Sequence, residues 1–505
     1  MLSPFIHKFE TEENKYIYDV NTNNVLKVDN VIYDIIGCYG VLSLHEIIAK
    51  FGSKYGVERI KHAHSSITMA KKKQGLFSSS RPLVIKYPKD DIALQLKLDS
   101  QMSTLILNVT EQCNLRCRYC IFSDQYYYTR NHAPRFMTFD IARKAIDFFL
   151  SHSMLNDTVF IGFYGGEPLL NKPLIKDCVN YVETVGIRDD VRFSITTNGT
   201  LIDDETIQFF IEKDFSVCVS LDGPKAIHNR NRVFKNGRGS HDKVVKNLRR
   251  LYQANEKFYI TKVSFNMVMP PPYDLLAHNN FVCDSDLIKE HTSVNPIRLS
   301  EAETTYFDRF SIDDLKLKGY DEILYIYKHA AIDNQLNLLP FRREFKFVDA
   351  YFRQGIVQIY KRELMGELGS EYHPGGICIP GLRKLFVSVD GNLFPCEKCN
   401  HANKLLCIGS VYHGLDYRKI ANLINKYLEL CPDDCINCWV AGAFCSICYA
   451  FAEEADGSSF SPDRKRRACN ACRNTCHNNL VLCYSILERN SKAFDFIRRI
   501  EIKKD

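Results

Sequence analysis

The sequence predicts an α/β protein with a partial (β/α)6 barrel at its centre, a winged-helix-like domain before it and a cysteine-rich domain after it. Five runs of apolar and β-branched residues, TLILNV, TVFIGFY, VRFSITT, FSVCVSL and ITKVSFNMV, alternate with helical segments through the middle of the chain, as expected for a parallel sheet. Short polar motifs follow several of these runs. Of the 20 cysteines, 13 lie between Cys378 and Cys483, which predicts a separate C-terminal unit.

We expect three domains, at residues 1–95, 96–349 and 350–505. In the first, the strand-like runs FIHKFET, KYIYDV and NVLKVD precede three helical stretches, a pattern typical of a small winged-helix unit. Segment 78–98 mixes Ser, Pro and charged residues as linkers do, so we place the first boundary there.

The amino-acid composition is typical of a soluble enzyme and gives no support for a nucleic-acid-binding or membrane protein. The chain has 505 residues, of which 45% are hydrophobic and 25% charged, as in ordinary soluble enzymes. Its net charge of +6 comes from 66 basic and 60 acidic residues, which is too dilute to predict a nucleic-acid or membrane partner. The sequence shows neither an apolar run long enough to span a membrane nor the apolar core of a secretory signal, so a cytoplasmic location is expected.

Three cysteines lie close together in the run EQCNLRCRYC. Cys113, Cys117 and Cys120 have the spacing C-x3-C-x2-C. Grouped cysteines in a reducing compartment typically bind metal, and three thiolates can hold three corners of a cubane cluster while the fourth iron stays open. A structural zinc ion is the alternative, but the next candidate ligand, His132, lies twelve residues further on. An incidental cysteine group is the other alternative.

This spacing, with the aromatic Tyr119 before the last cysteine, resembles the signature of the radical S-adenosylmethionine (radical SAM) superfamily. The resemblance implies a 4Fe–4S cluster whose open iron is chelated by the amino and carboxylate groups of S-adenosylmethionine. One electron, from a donor such as flavodoxin or ferredoxin, then cleaves the sulfonium to a 5′-deoxyadenosyl radical. The barrel positions the cofactor and excludes competing hydrogen donors.

Each later motif follows a predicted strand, and the carboxyl ends of barrel strands meet at one mouth. The Gly-Gly-Glu-Pro motif offers a close backbone approach and a carboxylate for the ammonium group of the cofactor. Hydroxyl, amide and carboxylate groups at the next two strand ends can bind its ribose or carboxylate, or can simply satisfy strand-end backbone. The candidate cofactor-binding residues are Gly165, Gly166, Glu167, Pro168, Thr196, Thr197, Asn198, Ser220 and Asp222, with Arg230, Arg232 and Arg298 as further possible contacts.

The C-terminal cysteines resemble a SPASM domain, which carries auxiliary clusters. They form Gly391-x4-Cys396 after Cys378, and then C-x2-C-x6-C-x2-C, where the usual spacing of the last block is five and then three. The resemblance implies an inner cluster held by Cys378, Cys396 and Cys448. It implies an outer cluster held by Cys435, Cys438 and Cys445 with one of Cys469, Cys472 or Cys476.

Four further cysteines have no role that spacing alone assigns: Cys399, Cys407, Cys431 and Cys483. If only three cysteines hold the inner cluster, its free iron is available to a peptide thiolate. Two zinc sites are the structural alternative for this domain.

The opening HKFETEENKYIYDVNTNNVLKVDNVIYDIIG resembles the peptide-recognition element of enzymes that modify ribosomally made peptides. An exposed strand edge there can bind a leader peptide as an added strand, which tethers the substrate near the radical. The partner implied is a ribosomally made precursor peptide with a leader. A docking or oligomerisation domain is the alternative.

Together the three parts resemble a maturase that forms thioether crosslinks between cysteine sulfur and carbon, as in sactipeptide and ranthipeptide synthesis. The alternatives on the same barrel are a carbon-carbon crosslinking enzyme, an epimerase and a sulfatase-maturing oxidase. A non-catalytic iron-sulfur scaffold that binds peptides is the alternative from another class.

Overall fold

The computed structural model describes residues 2–86, 91–127, 129–299, 304–338, 342–366, 368–372, 378–445, 447–454 and 456–499. Its first unit is an antiparallel sheet in the order β1-β2-β3, followed by three helices. The bounds are β1 Ile6–Glu10, β2 Lys15–Asp19, β3 Val25–Val28, α1 Asn30–Ile35, α2 Leu44–Tyr55 and α3 Val57–Gln74. The three strands and three helices lie where the sequence predicts them.

Local sequence signals determine where α2 begins and where α3 ends. Ser43 and Glu46 form a capping box at the start of α2, so each side chain satisfies a backbone N–H of the other. Gly75 ends α3 in a left-handed conformation with φ of 68°. The apolar sides of the helices close over Ile17 in a small core of their own.

The segment predicted as a linker contains regular structure. It includes a short strand, β4 Val84–Ile85, and a helix, α4 Asp91–Leu98. Leu94 and Leu98 of α4 are buried in the main core, so this helix belongs to the body of the protein.

Six parallel strands with intervening helices follow. The strands are β5 Thr104–Thr110, β6 Val159–Gly165, β7 Val191–Thr197, β8 Ser216–Ser220, β9 Val263–Met269 and β10 Ser293–Arg298. The helices are α5 Phe139–Ser151, α6 Lys172–Val185, α7 Asp204–Glu212, α8 Lys225–Asn231, α9 His241–Ala254, α10 Glu256–Lys262, α11 Leu275–Asp284, α12 Tyr320–Ile332 and α13 Lys346–Tyr360.

The predicted strand ITKVSFNMV begins too early, because its first three residues end α10, which the Asn255 side chain caps. The strand β10 was not predicted: it contains Pro296 and polar residues, yet it pairs in parallel with β9.

The C-terminal region adds short strands and three helices. They are β11 Glu371–Tyr372, β12 Leu385–Val387, β13 Asn392–Phe394, β14 Gly409–Ser410, β15 Gly414–Leu415, α14 Tyr417–Glu429, α15 Pro432–Ile436 and α16 Pro462–Leu487. The 3-10 turns of the chain are Ile36–Cys38, Pro168–Asn171, Tyr306–Arg309, Gln335–Leu338, Arg343–Phe345, Tyr449–Ala452 and Asp495–Arg499. In the described part of the chain, no helix has the length and apolarity needed to cross a membrane.

One sheet joins the central and C-terminal regions, with the strand order β10-β9-β8-β7-β6-β5-β12-β13-β14-β15. The pairs from β10 to β12 are parallel and the last three are antiparallel. The large parallel sheet confirms the predicted α/β class. Because β12 pairs with β5, the cysteine-rich region is part of the same sheet as the first cysteine motif.

The N-terminal sheet packs against the long helix α16. The His7 ring stacks on Trp439 at a centroid distance of 3.6 Å, and its Nε2 lies 2.9 Å from Nδ1 of His477. Glu488 accepts hydrogen bonds from Thr11, Asn14 and Tyr16. The first unit is therefore docked on the cysteine-rich region through both aromatic and polar contacts.

Candidate active site

Four adjacent parallel strands bring the sequence motifs to one edge of the sheet. The cysteine loop follows β5, Gly165 ends β6, Thr197 ends β7 and Ser220 ends β8. Carboxyl ends of parallel strands lie on one side, where α/β proteins place their active sites. The predicted convergence of these motifs is present.

The cysteine loop is held by backbone hydrogen bonds to the last residue of α8 and to the segment after it. The N–H of Arg116 donates to the Val233 carbonyl at 2.7 Å, and that of Arg118 donates to the Asn231 carbonyl at 3.0 Å. Within the loop, the Cys120 N–H donates to the Cys117 carbonyl at 3.0 Å. These hydrogen bonds hold the backbone of the loop that carries the three thiols.

The two glycines of the Gly-Gly-Glu-Pro motif pack against this loop. Gly165 has φ of 148°, and a Cβ there would lie 2.2 Å from the Thr110 carbonyl oxygen. A Cβ on Gly166 would lie 2.2 Å from the Gln112 carbonyl oxygen, next to Cys113. The glycines are therefore required for close approach to the cysteine loop, a role that the sequence interpretation, based on a bound ligand, did not include.

The Glu167 carboxylate is fully buried and already engaged by protein donors. It accepts from the Thr197 hydroxyl at 2.7 Å, the Asn198 N–H at 2.7 Å and the Leu169 N–H at 3.1 Å. Burial raises the pKa of Glu167, and these three donors oppose that shift. This side chain joins two strand ends, and its expected contact with the ammonium group of the cofactor stays a prediction. Pro168 next to it begins a 3-10 turn.

Asn198 connects the end of β7 to the cysteine loop. Its Nδ2 donates to the Asn114 side chain at 2.8 Å and lies 3.9 Å from the Cys113 sulfur. Its Oδ1 accepts from Thr200. Thr196 lies on the same strand, where it pairs with Cys218 of β8.

A buried network lies beside Cys117 and includes groups that sequence reasoning did not combine. The Asp222 carboxylate accepts from the Tyr119 hydroxyl and, at 3.2 Å, from the Val268 N–H, and its Oδ1 lies 3.5 Å from the Arg232 Nε. Arg232 Nη1 in turn lies 3.8 Å from the Cys117 sulfur. Burial alone would lower the pKa of Arg232, but Tyr119 and Asp222 raise it, so this cation stays charged next to the cysteine loop.

The two remaining arginines lie further out. Arg230 Nη2 donates to the Pro272 carbonyl at 3.3 Å, and Arg298 ends β10 with its guanidinium 5.7 Å from the Tyr273 ring centroid. Ser220 ends β8 and lies near the same mouth.

The buried polar groups around the cysteine loop fit an additional polar group at this mouth. Around the cysteine loop, the described residues whose buried nitrogens make no hydrogen bond include Asn108 (Nδ2), Arg130 (Nη1) and His132 (Nδ1). Buried polar atoms are normally paired, so these atoms are available to a ligand. Burial raises the pKa of Cys113 to about 12 and raises those of Cys117 and Cys120, so these thiols stay protonated unless a bound cation holds them as thiolates.

The outer group of cysteines lines a cavity under α16. Cys435, Cys438, Cys445 and Cys469 face it together with Cys431. Three cations also line it, Lys465, Arg466 and Arg473, and Arg473 Nη1 lies 3.7 Å from the Cys438 sulfur. Of the other two late candidates, Cys472 and Cys476 each direct the thiol to the Phe444 carbonyl, at 3.9 Å and 3.7 Å.

The inner group surrounds Tyr449. The Cys378 thiol lies 3.8 Å from the Tyr449 oxygen, and the Cys396 and Cys399 sulfurs are 4.0 Å apart. Burial raises the pKa of Cys448, and the nearby Cys378 and Cys396 raise it further. In the described residues, no set of three His, Cys, Asp or Glu side chains is arranged to hold a single metal ion. Ligands of a cluster surround a larger body than those of one ion.

The model of the Radical SAM superfamily matches residues 107–275. This stretch runs from β5 to the start of α11 and contains the cysteine loop and all four motif-bearing strand ends. Residues 107–275, with this fold and site, are therefore similar to a radical SAM domain, and a 4Fe–4S cluster and S-adenosylmethionine are the cofactors that this similarity implies.

Two curated relatives are similar to about a third of this chain. A cysteine-type anaerobic sulfatase-maturating enzyme of Clostridium novyi is 32% identical over 32% of this chain and 43% of its own length. An uncharacterized protein of Methanocaldococcus jannaschii is 37% identical over 34% of this chain and 55% of its own. This chain thus spans about half the length of these relatives.

Two further comparisons cover more of the chain. The radical SAM cyclopropyl synthase TigE of Paramaledivibacter caminithermalis is 20% identical over 98% of this chain and 97% of its own length. The solved structure of native anSMEcpe with bound AdoMet and a peptide has a TM-score of 0.53 at 18% identity, covering 76% of this chain and 99% of that one. This likeness supports the fold.

Proposed function

We propose that this chain is a radical SAM maturase that modifies a ribosomally made precursor peptide. The observation that carries the proposal is the presence, in one body built on a continuous sheet, of the radical SAM loop and two further groups of mostly half-buried cysteines, with a three-stranded unit docked beside them.

Support for a peptide substrate comes from the relatives and from the first unit. The similar proteins are named as sulfatase-maturating enzymes and a cyclopropyl synthase, and anSMEcpe was solved with a bound peptide. In this chain, β1 and β3 are the edges of the N-terminal sheet, and an edge strand can take an extended leader as a further strand. An electron donor such as flavodoxin or ferredoxin completes the proposed set of partners.

The cysteines divide into three ligand sets in this proposal. Cys113, Cys117 and Cys120 hold the first cluster, and Cys378, Cys396 and Cys448 hold the inner auxiliary cluster. The outer cluster is held by Cys435, Cys438, Cys445 and Cys469, because Cys469 is the late cysteine that lines their cavity. When bound, the first cluster and S-adenosylmethionine supply a 5′-deoxyadenosyl radical that removes hydrogen from the peptide. Gly165 and Gly166 bring the end of β6 against the loop, Glu167 and Asn198 fix the end of β7, and Arg232 neutralises negative charge near Cys117.

The specific reaction that we propose is thioether formation between a cysteine sulfur and a peptide carbon. The new C–S bond replaces one C–H and one S–H bond, so one hydrogen atom, one proton and one electron leave the peptide. The electron requires an acceptor, and an auxiliary iron-sulfur cluster is the acceptor proposed.

Closure of a carbon-carbon bond is the second candidate, favoured by the similarity to a cyclopropyl synthase over nearly the whole chain. Such a closure also removes two hydrogens, so the mass of the product does not separate the two reactions. The free thiols do: a thioether removes the donor cysteine from alkylation, whereas a carbon-carbon bond leaves it reactive.

The experiment incubates reduced protein with S-adenosylmethionine and a peptide encoded beside the gene. We expect 5′-deoxyadenosine, a product lighter by two hydrogens, and one cysteine protected from iodoacetamide. Replacing Cys113, Cys117 and Cys120 by Ala should abolish cofactor cleavage, whereas Cys283→Ala, a cysteine of α11 far from the three groups in sequence, should retain it. A protein that cleaves no cofactor would be the non-catalytic scaffold, and a modified peptide with all its thiols alkylatable would exclude the thioether.

A further inference from the structure

Cys399 is buried beside Cys396, and the backbone directs both thiols to the same place. The Cys399 N–H donates to the Cys396 carbonyl at 3.3 Å, which closes a tight turn between them. Their sulfurs are 4.0 Å apart, and Cys399 is only 2% exposed. Two thiols on one turn can bind one inorganic cluster, as in other C-x2-C ligand pairs.

The other two inner cysteines lie around the same point. Cys378 reaches the Tyr449 oxygen at 3.8 Å, and Cys448 is the residue directly before Tyr449. Cys448 lies within electrostatic range of Cys378, Cys396 and Cys399, and Tyr449 beside them is only 1% exposed. Four cysteines, instead of the three expected from sequence, therefore surround one buried position.

The remaining unassigned cysteines lie elsewhere. The Cys407 thiol donates to the Gly409 carbonyl at 3.4 Å, next to β14. Cys431 lines the outer cavity, and Cys483 is fully buried on α16. Cys399 is thus the surplus cysteine that has a place in the inner group.

We propose that Cys399 is the fourth protein ligand of the inner auxiliary cluster, so that this chain supplies a thiolate to every corner. The proposal rests on the auxiliary clusters of the proposed function and deepens it. A cluster with four protein thiolates leaves no iron for a peptide thiolate to bind. The inner cluster is then a site for electron transfer, and the peptide is positioned by other groups.

The test counts iron and probes for an open iron, and it does not need catalysis. The parent protein is the full chain with Cys113, Cys117 and Cys120 replaced by Ala, which removes the open iron of the first site. Cys399→Ala is added to this parent, with Cys399→Ser as a variant that keeps a ligand oxygen and Cys407→Ala as the matched control. Each protein is reduced, mixed with ¹³C-cyanide and examined by pulsed EPR for coupling between carbon and the inner cluster.

We expect no carbon coupling in the parent or in Cys407→Ala. Cys399→Ala should either gain the coupling or lose about four iron atoms per chain, the content of one cluster. Cys399→Ser should keep more iron than Cys399→Ala. Coupling already present in the parent, a Cys399→Ala variant with full iron and no coupling, or equal iron loss in Cys407→Ala would each overturn the proposal. Because the parent cannot cleave the cofactor, these outcomes are independent of whether the peptide is modified.

Discussion

Glu167 and Asn198 are joined by a hydrogen bond of 2.7 Å from the Asn198 backbone N–H to the Glu167 Oε2. The two residues follow adjacent strands, β6 and β7, and Asn198 also contacts the cysteine loop through Asn114. The buried carboxylate therefore fixes the relative position of three segments that meet at the radical SAM site.

Replacing Glu167 by Gln should destabilise the protein. The new amide NH2 meets the Asn198 N–H or the Thr197 hydroxyl, so a donor faces a donor in a buried place. An unsatisfied buried group costs about 1–3 kcal/mol, which anaerobic urea unfolding can measure. Glu183→Gln is the control, because Glu183 forms an exposed ion pair with Lys213 worth under about 1 kcal/mol. Equal losses in the two variants would contradict the structural role of Glu167.

Gly166→Ala should displace the cysteine loop and remove the first cluster selectively. The added methyl would lie 2.2 Å from the Gln112 carbonyl, so the backbone before Cys113 has to move. We expect loss of about four iron atoms per chain, with the auxiliary clusters retained. Gly37→Ala is the control, since nothing lies within 4 Å of a Cβ there. Iron analysis that finds the full content in Gly166→Ala would show that the loop tolerates the contact.

The buried carboxylate of Asp349 should give the protein a pH-dependent stability. Burial raises its pKa to about 6, although Arg353 opposes the shift. The folded state thus binds this proton more tightly than the unfolded chain, whose pKa is about 3.9. The free energy of unfolding should fall as pH rises from about 4 to about 6, by an amount on the order of 3 kcal/mol, and this contribution should be constant above that range.

Asp349→Asn should abolish that slope, because the amide does not titrate. The measurement is the difference in unfolding free energy between variant and wild type across this pH range, so that cluster effects common to both cancel. In Asp321→Asn, which changes an exposed residue at the start of α12, the slope should match the wild type. A slope that survives in Asp349→Asn would assign the titration to another group.

Cys469→Ala should remove the outer cluster, whereas Cys472→Ala should keep it. Cys469 lines the cavity with Cys435, Cys438 and Cys445, but Cys472 directs its thiol to the Phe444 carbonyl. We expect about four fewer iron atoms in the first variant and a full content in the second. The reverse result would make Cys472 the ligand.

The fold was predictable where the signal is local. β-Branched runs gave five of the central strands, but β10 contains Pro296 and polar residues and becomes a strand only because β9 pairs with it. The residues Ile260 to Lys262 have strand-like character, yet the Asn255 cap extends a helix over them. In both places tertiary context overrides the local preference.

The candidate site, like the fold, was predictable from sequence only where the signal is local. Cysteine spacing within one loop was enough to predict the radical SAM resemblance, which the superfamily match over residues 107–275 supports, whereas the ligand roles of the three cysteines stay a prediction. The contact of Tyr119 with Asp222 joins residues 103 positions apart, so sequence spacing carries no trace of it. Cys399 was ambiguous for the same reason, since its place beside Cys448 depends on how the C-terminal region folds. The thioether assignment stays a prediction.

The pairing of β12 with β5 determines how the protein can be divided. β5 is an interior strand, with β6 on one side and β12 on the other, and Leu105 and Leu107 along it are fully buried. Truncation after residue 349 would turn it into an apolar sheet edge, which promotes association between chains. The catalytic half is therefore not expected to be obtainable as an isolated fragment, even though the sequence suggests a boundary at that point.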